Sequence, residues 1–106
     1  MSEPVNLEIV ERSGEQVVAR LGGDLDIVTS EDVKRELAEV LDSGAASLSL
    51  DLSDVRFVDS SGLGALVAVH RHAEAAGAQF TVRKVPSQVQ RLFEITRLDD
   101  LLTVEP

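Results

Sequence analysis

The chain has 106 residues and no cysteine, which leaves room for one hydrophobic core and no disulfide framework or thiolate metal site. Hydrophobic residues make up 43% of it and aromatics 3%, with no Trp or Tyr, so the interior must be aliphatic and an aromatic base-stacking platform is excluded. The net charge of −9 is one-sided: residues 1–60 carry 14 acidic and 5 basic side chains, residues 61–106 carry 5 of each. Such a surface repels phosphate backbones and anionic lipid headgroups, so direct nucleic-acid or membrane binding is disfavoured. A partner with a basic face and simple solubility both account for the charge.

In chain order, Leu7, Ile9 and Glu11 start a short strand, Gly14 marks a turn, and Val17–Leu21 returns as a hairpin partner. Gly22-Gly23-Asp24-Leu25-Asp26 reads as a loop. Thr29 or Ser30 caps a first helix whose apolar face is Val33, Leu37, Val40 and Leu41, and Gly44 ends it. Ser47–Leu52 alternates strictly, with Leu48, Leu50 and Leu52 on one face, and Asp54 reads as a turn residue. A second helix spans about Ser61 to Ala76, stopped by Gly77. Gln79–Val85 reads as a strand. Pro86 and Ser87 open a third helix that buries Val89, Leu92, Phe93 and Thr96, and Leu101–Val104 adds a last short strand. Strands alternating with helices imply an α/β fold over residues 1–106: a mixed, mainly parallel sheet of about five strands with an N-terminal β-hairpin.

The acidic start Met1-Ser2-Glu3-Pro4 lacks an apolar signal segment, and no run approaches the roughly 18 apolar residues of a membrane span. The expected location is cytoplasmic. Enzyme signatures are weak. Asp59-Ser60-Ser61-Gly62 is not the Gly-x-Ser-x-Gly elbow of a serine hydrolase. His70 lies beyond about 10 Å from Ser60 along a helix, and His70 and His72 point in different directions, so neither a base nor a metal pair results. Gly62-Leu63-Gly64 lacks the third glycine and the lysine of phosphate-binding loops. Its small residues permit either close helix–strand packing or an exposed binding surface. Asp24 with Asp26, and Asp51 with Asp54, are too few oxygen ligands to define a magnesium or calcium site; solvated or capping carboxylates account for them. No cofactor is implied.

The most informative segment is Asp59-Ser60-Ser61-Gly62-Leu63-Gly64. It comes after the apolar run around Val55 and Val58 and opens a helical pattern of Leu63, Leu66, Val67 and His70. Two hydroxyls therefore sit at a helix N-terminus, where orphan N–H groups and the helix dipole favour an added anion. Such a serine serves either as a plain N-cap or as a phosphate acceptor.

The order strand, Gly23-Asp24-Leu25-Asp26, helix, strand Leu48–Leu52, then Phe57-Val58-Asp59-Ser60-Ser61-Gly62-Leu63-Gly64 resembles the STAS domain, in particular the bacterial anti-sigma factor antagonists. The segment from Pro86 to Leu98 resembles that family's third helix and the residues just after it. The likeness runs from about Leu7 to Val104. It implies a partner switch in which the unphosphorylated antagonist binds a kinase-type anti-sigma factor and frees a sigma factor. Ser60 matches the serine that the kinase phosphorylates and a PP2C-type phosphatase restores. Ser61 matches the second serine, which is not the usual acceptor. Asp26 matches an acidic residue near the site, and Asp24 stands where Glu is more usual. By this likeness Asp24, Asp26, Asp59, Ser61, Gly62, Leu63 and Gly64 line the partner contact, with Leu63 as an exposed apolar anchor. The chain is then a substrate and not an enzyme, a monomer or weak dimer. A STAS subunit of a stressosome-like complex or of a lipid ABC transporter is the alternative.

Overall fold

The computed structural model describes residues 5–105; Met1-Ser2-Glu3-Pro4, read from sequence as lacking a signal segment, lie outside them. Strands β1 (Asn6–Ser13) and β2 (Gln16–Leu25) form the hairpin. Next come α1 (Ser30–Asp42), β3 (Ser47–Val58), α2 (Ser60–Ala75), β4 (Gln79–Arg83), α3 (Ser87–Thr96), α4 (Leu98–Leu101) and β5 (Thr103–Val104). The sheet order is β1-β2-β3-β4-β5, antiparallel only between β1 and β2. The three parallel connections step one way across the sheet. Right-handed crossovers therefore put every helix on the same face.

That face is the core. Val17, Ala19 and Leu21 of β2, Leu48, Leu50 and Leu52 of β3, and Phe80 and Val82 of β4 are buried. Against them lie Val33, Leu37 and Leu41 of α1, Leu66, Val69 and Ala73 of α2, and Val89 and Phe93 of α3. Apolar side chains at period two on the strands and near 3.6 on the helices meet in one mainly aliphatic layer that includes Phe80 and Phe93, where burial of each large side chain contributes about 1.5–3 kcal/mol.

Several boundaries differ from the sequence reading, each for a physical reason. Gly22–Leu25 is strand rather than loop, and β3 continues through Ser53 and Asp54 to Val58. Arg20 pairs with Asp51 but Gly22 with Asp54, and Gly23 pairs with Val55 but Asp24 with Phe57, so β3 holds an extra residue at each of two bulges. Gly23, at φ +87°, supplies a backbone conformation that side chains disfavour. The bulges change the spacing of buried residues on β3 from two to three, as Leu50, Leu52, Val55 and Val58. Asp54 is therefore an exposed strand residue, not a turn. The strand after α2 ends at Arg83, before a left-handed Lys84. The short α4 was not expected, and β5 shrinks to two residues. Thr96, expected in the core, is exposed and donates its hydroxyl back to the Leu92 carbonyl at 2.6 Å.

Candidate functional site at the start of α2

The site forms where the C-terminal ends of β2 and β3 meet the N-terminus of α2. No serine caps this helix. Asp59 does, with Oδ1 accepting from the Gly62 N–H at 3.0 Å. Its other oxygen accepts from the Ile27 N–H at 3.3 Å, and its own N–H donates to the Leu25 carbonyl at 3.2 Å. One aspartate thus ties the helix start, the end of β2 and the β2–α1 loop together. Ser60 becomes the first helical residue and is exposed. The Leu63 N–H donates to the Asp59 carbonyl. Among the described residues this leaves the Ser60 and Ser61 amides as the orphan donors of the first turn, at the positive end of the helix dipole.

The β2–α1 loop is fixed by a second aspartate. Asp26 is buried, and its Oδ1 accepts from the Val28 and Thr29 amides at 3.0 and 3.2 Å. Thr29 precedes α1 without capping it by its side chain. Its hydroxyl instead donates to the Asp24 carbonyl at 2.6 Å and accepts from the Asp26 N–H at 3.1 Å. Asp24 is half-buried in the same turn. These bonds hold the loop closed from within and force two apolar side chains outward: Ile27 is 74% exposed and Val28 72%. On β3, Phe57 is 53% exposed. Beside it Arg56, Phe57, Val58, Gln88, Val89 and Leu92 line a largely apolar groove of about 340 Å³, and the Gln88 amide nitrogen donates to the Arg56 carbonyl at 2.9 Å. On the other side, Ile27, Ser30, Lys34, Ser61, Gly64 and Ala68 edge a hollow of about 300 Å³ between α1 and α2.

The two glycines after the serines differ. A Cβ on Gly62 would overlap the Leu25 carbonyl oxygen and lie 2.8 Å from Leu25 Cγ, so Gly62 lets the helix start touch β2. Gly64 has open space around it. Leu63, expected from sequence to be exposed, is instead half-buried and packs against the core. The exposed apolar residues at this end are Ile27, Val28 and Phe57. Sequence reading missed them, although two adjacent β-branched residues in a predicted loop were a visible signal. Neither histidine belongs to the site: His72 Nε2 pairs with Asp42 at 2.7 Å and His70 with Glu74 at 3.6 Å.

This geometry sits in a known family. Residues 9–103 match the family model described as Mlab, STAS domain. The anti-sigma-B factor antagonist of Staphylococcus aureus is 31% identical over 85 residues, covering 80% of this chain and 79% of its own. The anti-sigma factor antagonist from Mycobacterium paratuberculosis has the same fold, with a TM-score of 0.84 at 24% identity over 97% of this chain and 86% of that one. The Bacillus cell fate determinant SpoIIAA in its phosphorylated form superposes with a TM-score of 0.70 at 25% identity, covering 97% and 92%. No described helix is long and apolar enough to cross a membrane. The chain belongs to the STAS domain family, and proteins named anti-sigma factor antagonists are among its relatives.

Proposed function

We propose that this chain is an anti-sigma factor antagonist switched by phosphorylation of Ser60. Its unphosphorylated form binds a kinase-type anti-sigma factor and so frees a sigma factor. The kinase uses ATP to modify Ser60, and a PP2C-type phosphatase reverses the step. The chain is then a binding protein and a substrate of both enzymes.

The observation that carries this reading is the division of labour at the helix start. Asp59 takes the capping role, and Ser60 is left exposed at the end of the molecule where Ile27, Val28 and Phe57 are also exposed. Large apolar residues exposed together mark a contact surface. A phosphate there would add about −1.5 to −2 charges to that surface. The α2 dipole and the Ser60 and Ser61 amides would tolerate the group in the free protein. In a docked interface the same group must lose water beside Asp59 without a matching cation. Affinity is then expected to fall about a hundredfold or more. The backbone need not move, because the change is local charge. In this reading Asp24, Asp26 and Asp59 set the shape of the contact through the loop they hold, Gly62 seats the helix start against β2, and Ser61 and Gly64 let the partner approach it.

The test is to mix the chain with ATP and each candidate anti-sigma kinase of its own genome and to map the added mass, with Ser60→Ala alongside. One phosphate on Ser60 from one kinase supports the reading. Phosphate on another residue, or on none with every kinase, overturns it and favours the assembly or transporter-subunit alternatives.

A further inference from the structure

All described helices pack on one face of the sheet, so no described helix covers the other face of β1 to β4. Its side chains fall in rows set by the strand register. One row is Glu8, Arg20, Asp51 and Arg83: Glu8 pairs with Arg20, Arg20 with Asp51 and Asp51 with Arg83 across successive strands. The signs alternate from edge to edge. Arg20 lies 3.9 Å from Glu8 and 3.7 Å from Asp51, and Lys84, one residue beyond Arg83, lies 3.9 Å from Asp51. The neighbouring row is Glu11, Val18, Ser49 and Thr81, which is small and mostly uncharged. Val10, 41% exposed, joins Val18, Arg20, Asp51, Arg83 and Lys84 around a shallow depression of about 290 Å³.

Within one molecule the ladder is incomplete at both ends. Glu8 stands on the edge strand with its carboxylate half in solvent. At the far end, Arg83 Nε is buried with no hydrogen-bond partner among the described residues. A four-rung ladder of alternating sign is complementary to its own reverse. Consider a second copy laid face to face, with the two-fold axis along the strands between β2 and β3. Then Glu8 of each copy faces Arg83 and Lys84 of the other, while the central Arg20 and Asp51 rungs, with Asp51 already covered and answered within its own chain, lie over each other without new pairs. The low Val18-Ser49-Thr81 row lets two sheets approach to their usual separation of about 10 Å. An axis across the strands would instead stack Glu8 on Glu8, so the charge pattern selects one arrangement.

We infer that the bare sheet face is the contact of a weak, salt-sensitive two-fold dimer of this chain. Four strands about 4.8 Å apart and some five residues long present roughly 300–400 Å² per copy, well under the ~800 Å² per partner of stable complexes. Self-association is therefore expected only at high protein concentration, and salt acts on it twice, screening the facing charges and also the repulsion between two chains of net charge −9. It uses a surface separate from the Ser60 end and does not rest on the proposed switch.

The test is sedimentation of the whole chain from micromolar to millimolar concentration, at low and at high salt, with Glu8→Lys and Lys84→Glu as exposed variants. The wild type should dimerise as concentration approaches millimolar. Glu8→Lys should associate about tenfold more weakly or worse, because its own copies face like charges, and Lys84→Glu should weaken association less, because Arg83 still faces Glu8. Mixing the two variants should bring association above that of Glu8→Lys alone, since one end of the mixed pair keeps the wild-type contact and at the other the two substituted positions carry opposite charge beside Arg83. Circular dichroism checks that both variants are folded. A wild type that stays monomeric throughout overturns the inference. So does a dimer that ignores both charge swaps or that is broken instead by Ile27→Asp at the other end.

Discussion

The Ser60 end and the bare sheet face both depend on aspartates, but they use them differently. At the Ser60 end, Asp59 and Asp26 accept from backbone amides of Gly62, Ile27, Val28 and Thr29. On the bare face, Asp51 is 4% exposed and answers Arg20 and Lys84 side chains at 3.7 and 3.9 Å, with one short bond of 2.8 Å from the Ser53 N–H. Carboxylates bonded to the backbone fix where a loop runs and are little affected by salt. Carboxylates bonded to long cations set a charge pattern that salt and acid erode. The first arrangement suits a rigid docking end, the second an adjustable surface.

Breaking the rigid end should cost most. Gly62→Ala drives a methyl into the Leu25 carbonyl and is expected to lose about 1–3 kcal/mol in denaturant unfolding, as overpacking does. Gly64→Ala, two residues on and in open space, is expected to gain up to about 1 kcal/mol from helix propensity. If both glycines respond alike, the claimed contact between α2 and β2 is wrong. Asp59→Ala removes a cap and should cost about 1 kcal/mol. Its distinctive sign is faster amide exchange at Ile27 as well as Gly62, because one side chain holds both.

The bare face should answer to pH instead. Burial alone would push the Asp51 carboxyl up, but the Ser53 hydroxyl and N–H with the Lys84 and Arg20 charges together hold it below the usual value. A carboxyl with a lowered folded pKa stabilises the fold above its unfolded pKa, and that contribution is lost as pH falls through the folded value. Wild-type stability should therefore drop more steeply below about pH 4 than that of Asp51→Asn. Parallel acid curves would show that Asp51 carries no such role.

Much of this was legible in the sequence where pattern and period agree. The alternation of Leu48, Leu50 and Leu52, the face of Val33, Leu37 and Leu41, and the helix after Asp59 all appear where expected. The reading failed where one strand outran its partner. Two bulges in β3 changed its buried spacing from two to three, which hid the strand beyond Leu52, and the local Gly22-Gly23-Asp24 composition made the end of β2 look like loop. At the site, the Asp-Ser-Ser-Gly segment drew attention to Ser60, yet the cap fell to Asp59, whose carboxylate accepts from the Gly62 N–H and also reaches Ile27 from another element. That long-range bond, and the outward Ile27, Val28 and Phe57 it accompanies, depend on tertiary placement that local pattern does not encode.

The central claim is that charge at Ser60 gates a partner. Its most direct measurement is the affinity of the phosphorylating kinase for this chain before and after full phosphorylation at Ser60, with protein stability tracked in parallel. The account predicts binding weakened about a hundredfold or more with the fold intact. Equal affinity of the two forms would contradict it.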